Sequence, residues 1–241
     1  MTQLSPTDRP MIERLSPNFD ERRAPISMIV LHYTGMPDGP SAIDWLANPE
    51  SGVSAHYVVA EDGQVTLMVH EDKRAWHAGL AHWRGISDVN SASVGIEIVN
   101  PGHEFGYVPF PDEQIASVID LVGQIKGRYG IGRGDVVGHS DVAPMRKKDP
   151  GELFPWEALA SRRLALPRPR KKLMDPMWSD AGFVLALERF GYDVTDSFAA
   201  VVAFQRRFRP ELIDGTIDGE CRAILLALLL PRPEPHYDPI P

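Results

Sequence analysis

The sequence predicts an α/β domain followed by a small all-α domain, and three observations carry that prediction. Apolar runs at Ile26–His32, Val94–Val99 and Asp135–Gly138 are short and rich in β-branched residues, as buried strands are. From about Pro111 to Tyr129, Ile115, Val118, Ile119, Val122 and Ile125 recur at helical spacing and make one apolar stripe. Past the basic, proline-punctuated run Leu166–Lys172, only helical patterns follow. These divisions predict an extended leader over 1–24, the α/β domain over 25–163 and a linker over 164–173. A three-helix domain over 174–230 and a proline-rich tail over 231–241 complete the chain.

In order, the leader carries proline at positions 6, 10 and 17. The first strand lies between Pro25 and Gly35, and Pro40–Leu46 reads as a short helix. Ser54–Val59 and Gln64–Val69 flank Glu61-Asp62-Gly63, and two β-type runs around Asp-Gly predict a hairpin. The strand Val94–Val99 alternates around Glu97. The long helix has Asp112 and Glu113 in its first turn, Lys126 and Arg128 in its last, and Gly130 to stop it. Asp135–Gly138 then delivers His139 from a strand end, and Phe154-Pro155-Trp156 begins the last helix of the domain. The C-terminal helices are expected over Asp180–Phe190, Asp196–Phe208 and Asp218–Leu230, each capped by its opening Asp. Phe198, Val201 and Phe208 should face inward from the middle one, and Ile224, Leu225 and Leu228 from the last.

With 241 residues, 43% hydrophobic and 24% charged, the chain has the composition of a soluble globular protein. A net charge of -8 argues against nucleic-acid binding, which wants a basic surface. The single Cys221 excludes an internal disulfide and reads as a small buried residue more readily than as a reactive thiol. Residues 1–23 are polar and lack the roughly 7–15-residue apolar core of a secretory signal. No run approaches the ~20 apolar residues of a membrane-spanning helix. The expectation is a cytoplasmic protein without membrane insertion, or a periplasmic one if the natural N-terminus lies further upstream.

The chemistry gathers at Gly138-His139-Ser140-Asp141 and Lys147-Lys148-Asp149-Pro150, where an imidazole precedes a carboxylate by ten positions. Zinc accepts both donor types, and hydrolytic sites use three protein ligands. His32, at the end of the first strand, is the best third candidate, although each histidine alone also reads as a satisfied structural residue. His70 and His77 are weaker candidates and fit a cleft wall better. Glu97, inside an apolar strand, reads either as an outward-facing residue or as the general base for a metal-activated water. Lys147 reads either as a solvated loop lysine or as a stabiliser of the oxyanion formed at an attacked carbonyl.

Seven blocks then match one family in the right order. They are Leu31-His32-Tyr33-Thr34, Ser54-Ala55-His56-Tyr57, Ala75-Trp76-His77-Ala78-Gly79, Trp83-Arg84-Gly85, Val94–Asn100, Gly138–Pro144 and Lys147–Gly151. The chain resembles the zinc-dependent N-acetylmuramoyl-L-alanine amidases of the type-2 amidase family, which includes AmpD- and AmiD-type enzymes. The resemblance implies a mixed β-sheet flanked by helices, with one Zn2+ per chain held by His32, His139 and Asp149. It makes Glu97 the catalytic acid/base and Lys147 the oxyanion group, and it places Tyr33, Trp76, His77, Arg84 and Asn100 along the substrate cleft. Phe190-Gly191-Tyr192, Ala200–Phe208 and Ile213–Gly219 resemble small three-helix peptidoglycan-binding domains, although Gly219-Glu220-Cys221-Arg222 departs from that pattern.

The function implied is hydrolysis of the amide between N-acetylmuramic acid, 1,6-anhydro forms included, and L-alanine of the stem peptide, in cell-wall recycling. The muropeptide or peptidoglycan substrate is the expected partner. The alternatives are an exported or phage-like lytic amidase acting on intact peptidoglycan, and a non-catalytic peptidoglycan-recognition module.

Overall fold

In the computed structural model, residues 10–170 and 173–230 are described. The proline-rich tail and Lys171-Lys172 of the expected linker lie outside them, as does the start of the leader. The central strand β3 (Met28–Tyr33) is flanked by β7 (Ser93–Ile98) and β8 (Val136–Gly138), both parallel to it. Beyond β7 come β4 (Tyr57–Val59), parallel to it, then β5 (Val65–Leu67), antiparallel to β4. The β4–β5 pair is the expected hairpin, and Gly63 at φ 83° makes its turn. This is the mixed sheet that the family resemblance implied.

Residues 10–24 are worked into the domain. β1 (Ile12–Glu13) extends the sheet parallel to β5, and β2 (Phe19–Glu21) pairs antiparallel with β6 (Lys73–Ala75). The Asn18 side-chain amide donates to the carbonyls of Asn48 and Val53, tying this segment to the turn after α1 (Gly39–Ala47).

Alternation along the strands sorts the two faces of the sheet. Ile29 and Leu31 of β3 and Val94, Ile96 and Ile98 of β7 face the helix α4 (Asp112–Tyr129). Its Ile115, Val118, Val122 and Ile125 form the expected stripe, and Gly130 ends it in the left-handed conformation. Helix α6 (Trp156–Ser161) adds Trp156 and Leu159 to the same core. The opposite face receives Met28, Val30 and Val137 in one half. In the other half stand Ser93, Gly95, Glu97 and His32, the residues of opposite parity. Two short helices precede and follow β7, α2 (Val89–Ala92) and α3 (Gly102–Phe105), and α5 (His139–Val142) follows β8 directly.

The C-terminal helices α7 (Asp180–Phe190), α8 (Ser197–Phe208) and α9 (Gly219–Leu229) cover that apolar half. Phe183, Leu187, Tyr192, Val201, Phe204 and Leu225 share one core with Met28, Val30 and Val137. Asp196 and Asp218 cap their helices as expected, but α7 is capped by Ser179, whose hydroxyl accepts from the Gly182 N–H, and Asp180 is already helical. Phe198 corrects a second expectation: it is 62% exposed, one turn ahead of the buried stripe Val201, Phe204 and Phe208. Cys221 is buried, as expected. No helix among the described residues is long and apolar enough to cross a membrane.

Candidate active site and metal centre

β3 and β8 are parallel neighbours, so both present their C-terminal ends at one edge of the sheet. His32 stands near the end of β3, His139 opens α5 after β8, and Asp149 lies on the loop behind it. Their donor atoms converge. His32 Nδ1 is 2.9 Å from His139 Nδ1 and 3.1 Å from Asp149 Oδ2, and His139 Nδ1 is 3.0 Å from the same oxygen. All three residues are buried and form the candidate metal-holding group among the described residues.

The outer nitrogens of both rings are held. His139 Nε2–H donates to the Ala78 carbonyl at 3.0 Å, and His32 Nε2 is 3.0 Å from His77 Nδ1. Burial, and then the neighbouring His139, lower His32 to about 4, so its imidazole stays neutral with a lone pair available. Burial alone would raise Asp149, but His139 and His32 beside it outweigh burial and hold its carboxyl well below the usual range. Two imidazoles and one carboxylate meeting at one point is the donor set of a hydrolytic metal site.

Glu97 pairs with His32 across the parallel β7–β3 ladder, so both side chains stand on the same face. The outward-facing alternative is thereby ruled out. Its Oε2 is buried and makes no hydrogen bond with the described residues, although the residue as a whole keeps some exposure. Burial, reinforced by the Asp149 charge and opposed by Lys147, pushes the Glu97 carboxyl well above its ordinary range. Lys147 and Glu97 line one cavity of about 420 Å³ with His32, His139 and Asp149.

Residues 22–152 match the sequence profile of the family described as N-acetylmuramoyl-L-alanine amidase. The chain belongs to this family. AmiD of Escherichia coli K12 is 34% identical over 265 residues, covering 92% of this chain and 91% of that protein. The AmpD 1,6-anhydro-N-acetylmuramyl-L-alanine amidase of Haemophilus influenzae is 33% identical, covering 61% of this chain and 88% of its own. The solved complex of E. coli AmiD with anhydro-N-acetylmuramic acid-L-Ala-D-gamma-Glu-L-Lys superposes with a TM-score of 0.77 at 34% identity, over 87% of this chain and 91% of that one. AmpDh3 of Pseudomonas aeruginosa, in complex with anhydromuramic pentapeptide, also gives a TM-score of 0.77, at 28% identity and over 94% and 97% of the two chains.

In this amidase the residues expected along the cleft divide. Tyr33, Trp76 and His77 line the cavity, Trp76 with its indole N–H donating to Asp20 at 2.9 Å. Arg84 and Asn100 do not. Arg84 donates to the Phe190 carbonyl at 3.1 Å and to Asp135 at 2.9 Å, so it straps the C-terminal bundle to the sheet domain. Asn100 is buried, donating to the Val108 carbonyl and accepting from the Gly102 N–H, so it shapes the loop after β7. Sequence reasoning passed over Trp45, His103 and Arg146, all of which line the cavity. The Tyr33 hydroxyl lies 2.9 Å from His103 Nδ1, and His103 Nε2 lies 3.1 Å from Glu152. Arg146 had a visible signal, as the first member of the basic run Arg146-Lys147-Lys148. His103 had none, because its partners are 70 and 49 positions away.

Proposed function

We propose that the amidase is zinc-dependent and hydrolyses the amide joining the lactyl group of N-acetylmuramic acid to L-alanine of the stem peptide, with 1,6-anhydro muropeptides as substrates in cell-wall recycling. The observation that carries this reading is the triangle of His32 Nδ1, His139 Nδ1 and Asp149 Oδ2, with edges of 2.9–3.1 Å. Bonds of about 2.0–2.1 Å to a tetrahedral ion require ligand atoms roughly 3.3 Å apart, so the donor set fits one Zn2+ per chain. The names of the AmpD relative and the two solved complexes with anhydromuramic peptides support the substrate class.

A Zn2+ ion held by His32, His139 and Asp149 would supply Lewis-acid chemistry for the carbonyl and would make water acidic near neutral pH. The protein's own residues do the rest. Glu97, with an oxygen that has no partner among the described residues and a raised affinity for protons, takes the proton of the attacking water as the carbon–oxygen bond forms. It returns that proton to the departing L-alanine nitrogen as the carbon–nitrogen bond breaks. The products are a muramic carboxylate and a stem peptide with a free amine. The Lys147 ammonium, facing the same cavity, stabilises the charge on the carbonyl oxygen in between.

The setting we propose is the cytoplasm, on soluble muropeptides. Mass spectrometry of products from soluble anhydro-muropeptide and from intact sacculi, with and without a chelator, tests this. Chelator-sensitive release of stem peptide from the soluble substrate alone is expected. Comparable release from sacculi would replace recycling with lytic action, and no release from either would leave a binding module. Release from the soluble substrate alone would also leave residues 174–230, which resemble peptidoglycan-binding helices in sequence, without a wall-binding role. Co-sedimentation of the Glu97→Gln protein with sacculi checks that point independently, and a protein that pelleted with them would restore the wall-binding role.

A further inference from the structure

Behind His32, on the side away from the ligand triangle, lies a chain of buried polar side chains that the mechanism above does not use. His32 Nε2 is 3.0 Å from His77 Nδ1, His77 Nε2 is 3.1 Å from Ser93 Oγ, and Ser93 Oγ is 2.6 Å from the Val89 carbonyl oxygen. The two rings meet edge to face, with centroids 5.1 Å apart. Only the last member of this chain has a fixed hydrogen-bonding role: a carbonyl accepts and cannot donate. Working back from it, the Ser93 hydroxyl proton must point at Val89, so Ser93 Oγ receives the His77 Nε2–H. A neutral His77 then offers its Nδ1 lone pair, and His32 must place its one proton on Nε2. The His32 lone pair is left on Nδ1, the atom that faces His139 and Asp149.

We infer that His77 and Ser93 are positioning residues that fix the tautomer and orientation of His32 as a metal ligand, and that Gly95 is the strand residue that makes room for them. This inference rests on the zinc reading above. Gly95 supplies the second observation. It sits in the middle of β7, where glycine is otherwise unfavourable, and a Cβ built there would lie 2.4 Å from His77 Cγ. A side chain at position 95 would collide with the imidazole where it now lies. The His77 backbone is also pinned, since the N–H groups of His77 and Ala78 both donate to the Asn90 side-chain oxygen. Metal-bound imidazoles held by a second partner keep their ring orientation and basicity, and loss of that partner weakens metal affinity by roughly 10–100-fold.

The test is the zinc affinity of the full chain, by competition with a chromophoric chelator, in wild type, His77→Phe, His77→Asn, Ser93→Ala and Gly95→Ala. Phe keeps the ring but offers no acceptor, whereas Asn Oδ1 falls close to the position of His Nδ1. His77→Phe is expected to bind zinc roughly 10–100-fold more weakly and His77→Asn to recover most of that loss. Ser93→Ala and Gly95→Ala should fall between them, and they carry the test if His77→Phe does not fold by circular dichroism. The absorption bands of the Co2+-loaded protein should broaden in His77→Phe and return towards wild type in His77→Asn. A folded His77→Phe with wild-type affinity would overturn the inference, as would equal losses in Phe and Asn, which would make His77 a packing residue. A wild-type chain that binds no zinc would overturn the metal reading itself, an outcome independent of the variants.

Discussion

Glu97 and Asp149 are two buried carboxyl groups lining one cavity, and their surroundings push them in opposite directions. Asp149 lies against two imidazoles and stays charged, as the proposed ligand role needs, while Glu97 has an oxygen unpartnered among the described residues and holds a proton readily. Glu97→Gln should therefore keep one zinc per chain, measured by elemental analysis, while turnover falls roughly 10²–10⁴-fold. Full activity with zinc bound would end the proton-transfer role. Asp149→Ala should lose the metal itself, and unchanged zinc content would remove it from the ligand set. At this scale the sequence was legible wherever a strand carried the residue. The runs around His32 and Glu97 were plain, but alternation alone left the direction of Glu97 open. The β3–β7 register decides it, and that register is set by partners 65 positions apart, His32 and Glu97. Arg84 misled for a similar reason, since its block suits a cleft while its partner carbonyl, that of Phe190, lies 106 positions further on.

At the scale of elements, helix α4 is fastened at its C-terminal end by one carboxylate. Glu71 accepts from Arg128 Nη2 at 2.6 Å, from the Tyr129 hydroxyl at 2.7 Å and from the Tyr57 hydroxyl at 2.8 Å. Burial alone would raise Glu71, but these donors, Arg128 first, outweigh it and lower its pKa. A folded-state value below the unfolded one of about 4.3 means stability present above that pH and lost as pH falls through the folded value. Wild type should therefore melt higher than Glu71→Gln from neutral pH down to about pH 5, with the gap closing below about pH 4. A gap that stays constant to pH 3 would show that the clamp acts through shape alone. The helix itself, its acidic first turn and its stop at Gly130 could all be read from local pattern. The pairing of Ile12–Glu13 and Phe19–Glu21 could not, because two- and three-residue strands carry no periodicity. The true cap of α7 was missed because Ser179 and Asp180 both suit the position, and only backbone geometry separates them.

For the whole molecule the question is whether residues 174–230 are a detachable module, and the packing argues that they are not. The AmpD relative from Haemophilus influenzae aligns over 88% of its own length but only 61% of this chain. In this chain, however, Met28, Val30, Val137 and Val142 of the sheet domain share a core with Phe183, Phe204 and Leu225 of the bundle. A buried polar knot crosses the same boundary. Arg207 of α8 donates to Asp141 and to the Val136 carbonyl, both at 3.1 Å, and Tyr192 donates to the other Asp141 oxygen at 2.6 Å. Asp141 belongs to α5, two residues after His139, and also accepts the Gly138 N–H at 2.7 Å. Arg207 further stacks on Trp156, 3.2 Å from the ring centroid. Removing Arg207 alone leaves the Asp141 carboxylate buried in the helix that carries His139, a change that costs about 3–5 kcal/mol. Arg207→Ala should thus lower the melting temperature sharply and weaken zinc binding, although it touches no ligand. The full chain should unfold in one transition, coincident by tryptophan fluorescence and far-ultraviolet circular dichroism. A fragment ending at residue 170 would expose the apolar half of the sheet and release α5, and it should aggregate or melt well below the parent with reduced zinc affinity. A fragment that stayed soluble, melted with the full chain and bound zinc equally well would show instead that the bundle is an appended domain whose contacts carry no share of the site.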